Sequence, residues 1–159
     1  MTDTVKSAIV TGSGSGIGAA TAKRLIADGW SVTIAGRTLD KLEKTAAEMD
    51  AGKRVNIVQC DVTDRDAVAV MIENHVVKFG GLTGLVNNAG VPVGGPIDQV
   101  TPEAWKTVMT GNVESVFNTI SLSVPHLVAA KGSIVNVSSI SGLGGDWGFS
   151  PYNASKGAV

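Results

Sequence analysis

Tyr152 and Lys156 stand four residues apart in the segment Tyr-Asn-Ala-Ser-Lys. Residues at that spacing share a helix face, so the ammonium of Lys156 is expected over the phenol of Tyr152. A neighbouring positive charge favours the phenolate over the phenol. A tyrosine whose ordinary pKa of about 10 is brought toward neutrality can exchange a proton with a carbonyl or alcohol oxygen. The same spacing also describes an ordinary solvated helix face, so the pair acquires meaning only from the elements that position it.

Those elements must come from 159 residues, enough for one domain with a real core, here 1–159. The net charge of −1 and the lack of any Lys/Arg run offer no surface for nucleic acid or membrane. The apolar stretch 7–10 near the start is too short for a signal-peptide core or a membrane span. Cys60 is the single cysteine, which excludes an internal disulfide and suits a reducing compartment, so a cytoplasmic location is expected. It follows a strand-like run and is expected to be packed and unreactive.

Short β-branched runs alternate with helical patterns along the whole chain. The pattern predicts strands at 7–10, 31–35, 54–59, 82–86 and 133–137. Helices are predicted at 17–28, 39–49, from Thr63 to about 79, from Thr101-Pro102, and at 112–129. Thr63 and Asp66 are expected to form a capping box, and Thr101 with Pro102 a capped start. Several strands are apolar on successive residues, as strands buried on both faces should be. The expected fold is therefore α/β: a doubly wound parallel sheet of the Rossmann type, covered by helices in three α/β/α layers.

Thr11-Gly12-Ser13-Gly14-Ser15-Gly16-Ile17-Gly18 lies between the first strand and the first helix. Glycines there allow a tight turn and close approach of a pyrophosphate to backbone amides at a helix start. A glycine-rich turn alone is weak evidence; its place after the first strand of an alternating pattern makes it a dinucleotide signal.

Together with Cys60-Asp61-Val62, Asn87-Asn88-Ala89-Gly90, Asn112, Ser138-Ser139 and Tyr152-Asn-Ala-Ser-Lys156, this loop resembles the short-chain dehydrogenase/reductase family, including its 3-oxoacyl-carrier-protein-reductase-like members. The resemblance spans the chain. It implies a cofactor site built from Gly12, Ser15, Gly16, Ile17, Gly18, Arg37, Thr38, Asp61, Val62, Asn88, Ala89, Gly90, Tyr152 and Lys156. Asp61 would accept from the adenine amino group, Asn88-Ala89-Gly90 would line the ribose, and Asn87 would tie strands together. The second strand ends in Ala35-Gly36-Arg37-Thr38, with no carboxylate for a 2′-hydroxyl and with a cation able to meet a 2′-phosphate. NADP(H) is therefore expected in preference to NAD(H), which stays possible; a basic residue at position 15 is lacking.

The resemblance also implies a catalytic set. Tyr152 would donate or accept the proton, Lys156 would lower its pKa and bind the nicotinamide ribose, and Asn112 would hold a water. Ser139 would donate to the substrate oxygen; Ser138 is the rival, but a glycine three residues on, Gly142, selects Ser139. Trp147 is a candidate pocket wall beside Phe149. His75 and His126 have no metal-like neighbours, and no metal site is expected. The implied reaction interconverts a ketone and a secondary alcohol in a small molecule, by a homo-oligomeric enzyme. The family continues beyond the position of Val159 with further strands and a substrate lid. The sheet is thus expected to be truncated after its fifth strand, leaving an apolar edge. A piece of a longer enzyme is the favoured explanation, natural truncation the other, and a non-catalytic nucleotide-binding remnant or scaffold the alternative function.

Overall fold

The computed structural model describes residues 6–159. Five strands form one parallel sheet in the order β3-β2-β1-β4-β5: β1 Ser7–Thr11, β2 Ser31–Gly36, β3 Val55–Gln59, β4 Gly84–Asn87 and β5 Ser133–Asn136. Chain order reverses between β1 and β4, and all the strands end on the same side. In such sheets the crevice at the reversal is where ligands bind. The helices are α1 Gly16–Ala27, α2 Leu39–Ala47, α3 Arg65–Phe79, α4 Pro102–Met109, α5 Ser115–Ala130 and α6 Ser150–Ala158.

The central strands are apolar on consecutive residues because both faces are covered. On one face Val10, Val32 and Ile34 pack with Ala22, Ile26 and Leu42 of α1 and α2. On the other, Ile9 and Leu85 pack with Val68, Met71 and Ile72 of α3 and Leu127 of α5. Burying each such side chain contributes about 1.5–3 kcal/mol, which fixes the sheet as the rigid base of the site. β5 differs: it pairs only with β4, all four of its residues are exposed, and Val135 is 55% exposed. Among the described residues, no helix is long and apolar enough to cross a membrane.

Two local expectations are corrected. The cap of α3 is Asp64, which accepts from the amides of Asp66 and Ala67, and the expected box from Thr63 does not form. The Thr63 hydroxyl instead donates to Asp61 Oδ1, and a side chain with a nearer acceptor is lost to the cap. The predicted helix at 112–129 begins with a widened π turn, Thr110–Glu114, that runs on from α4. α6 starts at Ser150, with Pro151 in its first turn, two residues before Tyr152. Thr101 does cap α4, accepting from the amide of Ala104.

His75 is fully buried, and its Nδ1 shares a 2.7 Å hydrogen bond with Thr33 Oγ1, which accepts from Asn56 Nδ2. Burial pushes the imidazole down to about 4, the Gly81 backbone offsetting part of the effect and His126 adding to it. The folded chain therefore refuses a proton that the unfolded chain takes near pH 6.5. The neutral imidazole's contribution is complete above pH 6.5 and is lost as pH falls toward 4, amounting to about 3 kcal/mol over that window. Thermal midpoints between pH 6.5 and 4.5 should fall more steeply for the native protein than for His75→Gln; parallel curves would refute this role.

Candidate functional site

The glycine loop owes its shape to β4. Thr11, the last residue of β1, accepts from the amides of Asn88 and Ala89 through its hydroxyl. Asn88 Nδ2 returns bonds to the carbonyls of Thr11 and Gly12 at 3.0 and 3.2 Å. Ser13 fastens the loop to β2, donating to the Val10 and Ala35 carbonyls and accepting from the Ala35 amide. Close approach then excludes side chains. A Cβ on Gly12, whose φ is +64°, would lie 2.8 Å from Ala89 Cα, and one on Gly18 would lie 2.5 Å from both Asn88 Nδ2 and the Gly12 carbonyl. Gly18→Ala should therefore displace Asn88 and cost about 1–3 kcal/mol. The expected result is a lowered melting temperature; an unchanged value would show that the loop gives way freely.

A trench follows the ends of β1, β2, β3 and β4. Gly12, Gly36, Arg37, Ala89 and Gly90 line it throughout. Cys60, Asp61, Val62 and Thr63 close one side, and Ser15, Thr38 and Lys41 the other. Asp61 Oδ1 accepts from the Thr63 amide and hydroxyl, so half of its carboxylate shapes the turn. Gln59 Nε2 bonds the Arg37 carbonyl, while the guanidinium makes no hydrogen bond or ion pair among the described residues. Ser15 and Thr38 precede α1 and α2 without capping them through their hydroxyls, which leaves both groups available to a ligand. Gly16 and Ile17 open α1 at the loop's end. Burial raises the Cys60 thiol to about 11, with Asp61 and Asp64 adding to the rise, so the thiol is inert.

Beyond Gly90 lie the residues that follow β5 and those of α6. Lys156 is only 7% exposed. Its Nζ donates to the Val137 carbonyl at 2.7 Å and lies 5.8 Å from the centroid of the Tyr152 ring. Burial lowers the pKa of this ammonium. A Cβ on Gly90 would lie 3.0 Å from Asn112 Oδ1 and 3.7 Å from Lys156 Nζ, so these three residues converge. Asn112, in the widened turn, accepts from the Val91 amide at 2.7 Å and donates to the Val91 carbonyl and to Ser155 Oγ. Ser155 in turn donates to the Tyr152 carbonyl, which binds α6 to the widened turn beneath the tyrosine.

The two serines after β5 have different partners. Ser138 Oγ is spent on the Lys156 carbonyl at 2.7 Å. Ser139 Oγ donates to Ser141 Oγ at 3.1 Å and accepts from the Ser141 amide. Gly142 is needed because a Cβ there would lie 2.6 Å from the Lys156 carbonyl. Trp147 is 92% exposed and stands in solvent, whereas Phe149 meets the Tyr152 ring edge-on at 6.3 Å between centroids. Asn87 bridges β4 to Asn136 of β5 and accepts from Thr119 of α5. Thr11, Ser13 and Ser155 lie inside the motifs quoted above, but the contacts that make them part of the site carry no spacing signal. Among the described residues no cluster of His, Cys, Asp or Glu could hold a metal.

A family model described as short chain dehydrogenase matches residues 6–159. The chain belongs to the short-chain dehydrogenase family. It is 39% identical over 154 residues to a meso-2,3-butanediol dehydrogenase of Serratia marcescens, covering 97% of this chain and 61% of that protein. It is 38% identical over 164 residues to an NADP-dependent (R)-specific alcohol dehydrogenase of Lentilactobacillus kefiri, covering 100% and 65%. Among solved structures, an actinorhodin polyketide ketoreductase variant crystallised with NADPH superposes with a TM-score of 0.91 at 32% identity, covering 97% and 60%. The chain thus spans less than two thirds of the length of these family members.

Proposed function

We propose that this protein is an NADP-dependent oxidoreductase that interconverts a ketone and a secondary alcohol by hydride transfer. Residues 1–159 would serve as its NAD(P)-binding domain. The observation that carries the reading is a buried Lys156, held by the Val137 carbonyl beside Tyr152 and close to Gly90, which lines the trench along the strand ends. A buried ammonium is costly unless paired, and here it has one carbonyl partner.

The residues present fit a dinucleotide. Gly12 and Gly18 admit no side chain, the amides at the start of α1 suit a pyrophosphate, and Asp61 and Val62 stand where an adenine would lie. Arg37 would meet the 2′-phosphate, with the hydroxyls of Ser15 and Thr38 in the same trench. The named preference of the Lentilactobacillus relative and the NADPH in the ketoreductase structure support the phosphorylated cofactor; NAD(H) would bind more weakly. Bound nicotinamide supplies the hydride. Lys156 would hold its ribose beside the Tyr152 ring. Tyr152 would protonate the substrate oxygen in reduction and take that proton in oxidation. Ser139 would turn its hydroxyl from Ser141 to the same oxygen and stabilise its charge. Asn112 would keep Gly90, Val91 and α6 in register and hold the water that connects Lys156 to solvent.

The substrate would be a small carbonyl or alcohol compound; the sequence offers no basic run for nucleic acid, and no described helix suits a membrane. A cytoplasmic homo-oligomer is the assembly we expect, by family analogy; Phe117 and Val128 on the outer face of α5 are exposed. The test is NADPH oxidation by the purified protein against a panel of ketones, with NADH in parallel. Turnover with NADPH supports the reading; saturable NADPH binding with no turnover of any carbonyl would favour a nucleotide-binding remnant.

A further inference from the structure

The two segments that flank the proposed reaction point form one wall. Gly95 bridges to Phe149, its amide donating to the Gly148 carbonyl, and the Ser150 amide and hydroxyl both bond the Gly95 carbonyl. From Ala89 to Ile97 this wall contains no Asp, Glu, Lys or Arg; from Val137 to Ser155 it contains one, Asp146. The site's own cation, Lys156, is bonded to the Val137 carbonyl and committed to the cofactor in the reading above. Asp146 is not adrift on its loop. Its carboxylate Oδ2 accepts a short hydrogen bond from Ser141 Oγ, and Ser141 Oγ accepts from Ser139 Oγ. Its backbone carbonyl accepts from Asn153 Nδ2 at 2.7 Å, which ties the loop to α6 one residue after Tyr152. A fixed negative charge therefore sits two hydrogen bonds from the hydroxyl assigned to the substrate oxygen. Around it, Ile140, Leu143 and Trp147 are each more than 80% exposed, an apolar rim beside a polar centre.

We propose that the site accepts uncharged, largely apolar carbonyl compounds and rejects those with a carboxylate next to the reacting carbon, and that Asp146, held by Ser141, is the residue that sets this discrimination. The inference rests on the oxidoreductase reading and deepens it. Like charges a few hydrogen-bond lengths apart repel even beside water, and no cation on the wall offsets the repulsion.

The experiment compares methyl benzoylformate with benzoylformate, the same ketone with and without a carboxylate, using NADPH and the full protein. Their intrinsic reactivities differ, so the quantity read is the change in the ester-to-acid ratio of kcat/KM when Asp146→Asn is introduced. The ratio should fall by roughly threefold in the variant. In the native protein it should also fall as salt is raised, since screening weakens the repulsion; this arm needs no variant to fold. A ratio unmoved by both the substitution and salt would overturn the role of Asp146 while leaving the oxidoreductase reading intact. If NADPH binds but neither compound nor any simple ketone is reduced, the failure lies in the oxidoreductase reading, and the discrimination falls with it.

Discussion

Tyr152→Phe lowers turnover by about a thousandfold or more in this account, while the Kd for NADPH stays within about a factor of two. A positioned proton donor contributes typically about 10²–10⁴ in rate, and phenylalanine removes the donor while keeping the ring that meets Phe149 edge-on. The proposed ribose contact would remain, because Lys156 is held by Val137 and not by the phenol. Turnover and cofactor affinity must therefore separate. A variant that keeps a tenth of native turnover would show that water or another group delivers the proton. A variant that loses NADPH binding as well would show that Tyr152 builds the trench instead of acting in it.

Arg37→Asp is the second large effect. The guanidinium is free of partners among the described residues and lies on both sections of the trench, beside Thr38 and Ser15. Replacing a cation by an anion removes a charge-assisted contact to the 2′-phosphate and introduces repulsion against it. The same carboxylate can accept from the 2′-hydroxyl of NADH. The ratio of kcat/KM for NADPH over NADH should fall by roughly a hundredfold or more. Because the backbone of Arg37 is anchored through its carbonyl to Gln59, the change should leave the strand end in place. An unchanged ratio would move the source of preference elsewhere, with Lys41 as the next cation along the trench.

What can be seen in the sequence follows from which physical signals are periodic. β1 and β2 are apolar on successive residues because both faces are buried, and such a run marks a central parallel strand from the amino acids alone. The glycine loop is legible for a related reason: Gly12 and Gly18 stand where backbone and side chain from the end of β4 and from the loop itself leave no room for a Cβ. Contacts that depend on where three elements meet leave no such trace. Thr63 has the right type and spacing for a cap, yet Asp61 is closer and takes its hydroxyl. The widened turn at Thr110–Glu114 lets Asn112 grip both backbone groups of Val91, a distant pairing that helix periodicity cannot reveal. Ser155 links Asn112 to α6, but in the sequence it is only a small residue inside the Tyr152–Lys156 spacing. The choice of Ser139 over Ser138 comes from the family resemblance, through a glycine three residues on; in the fold the Ser138 hydroxyl is consumed by α6.

The most direct test follows the hydride itself. NADPH carrying deuterium at the transferred position of its nicotinamide is incubated with the protein and a ketone that it reduces, and the alcohol is examined by mass spectrometry and NMR. The account predicts one deuterium on the carbinol carbon, and a hydroxyl proton drawn from solvent. Alcohol without deuterium on that carbon, or NADPH that binds tightly and is never oxidised by any ketone, would contradict it.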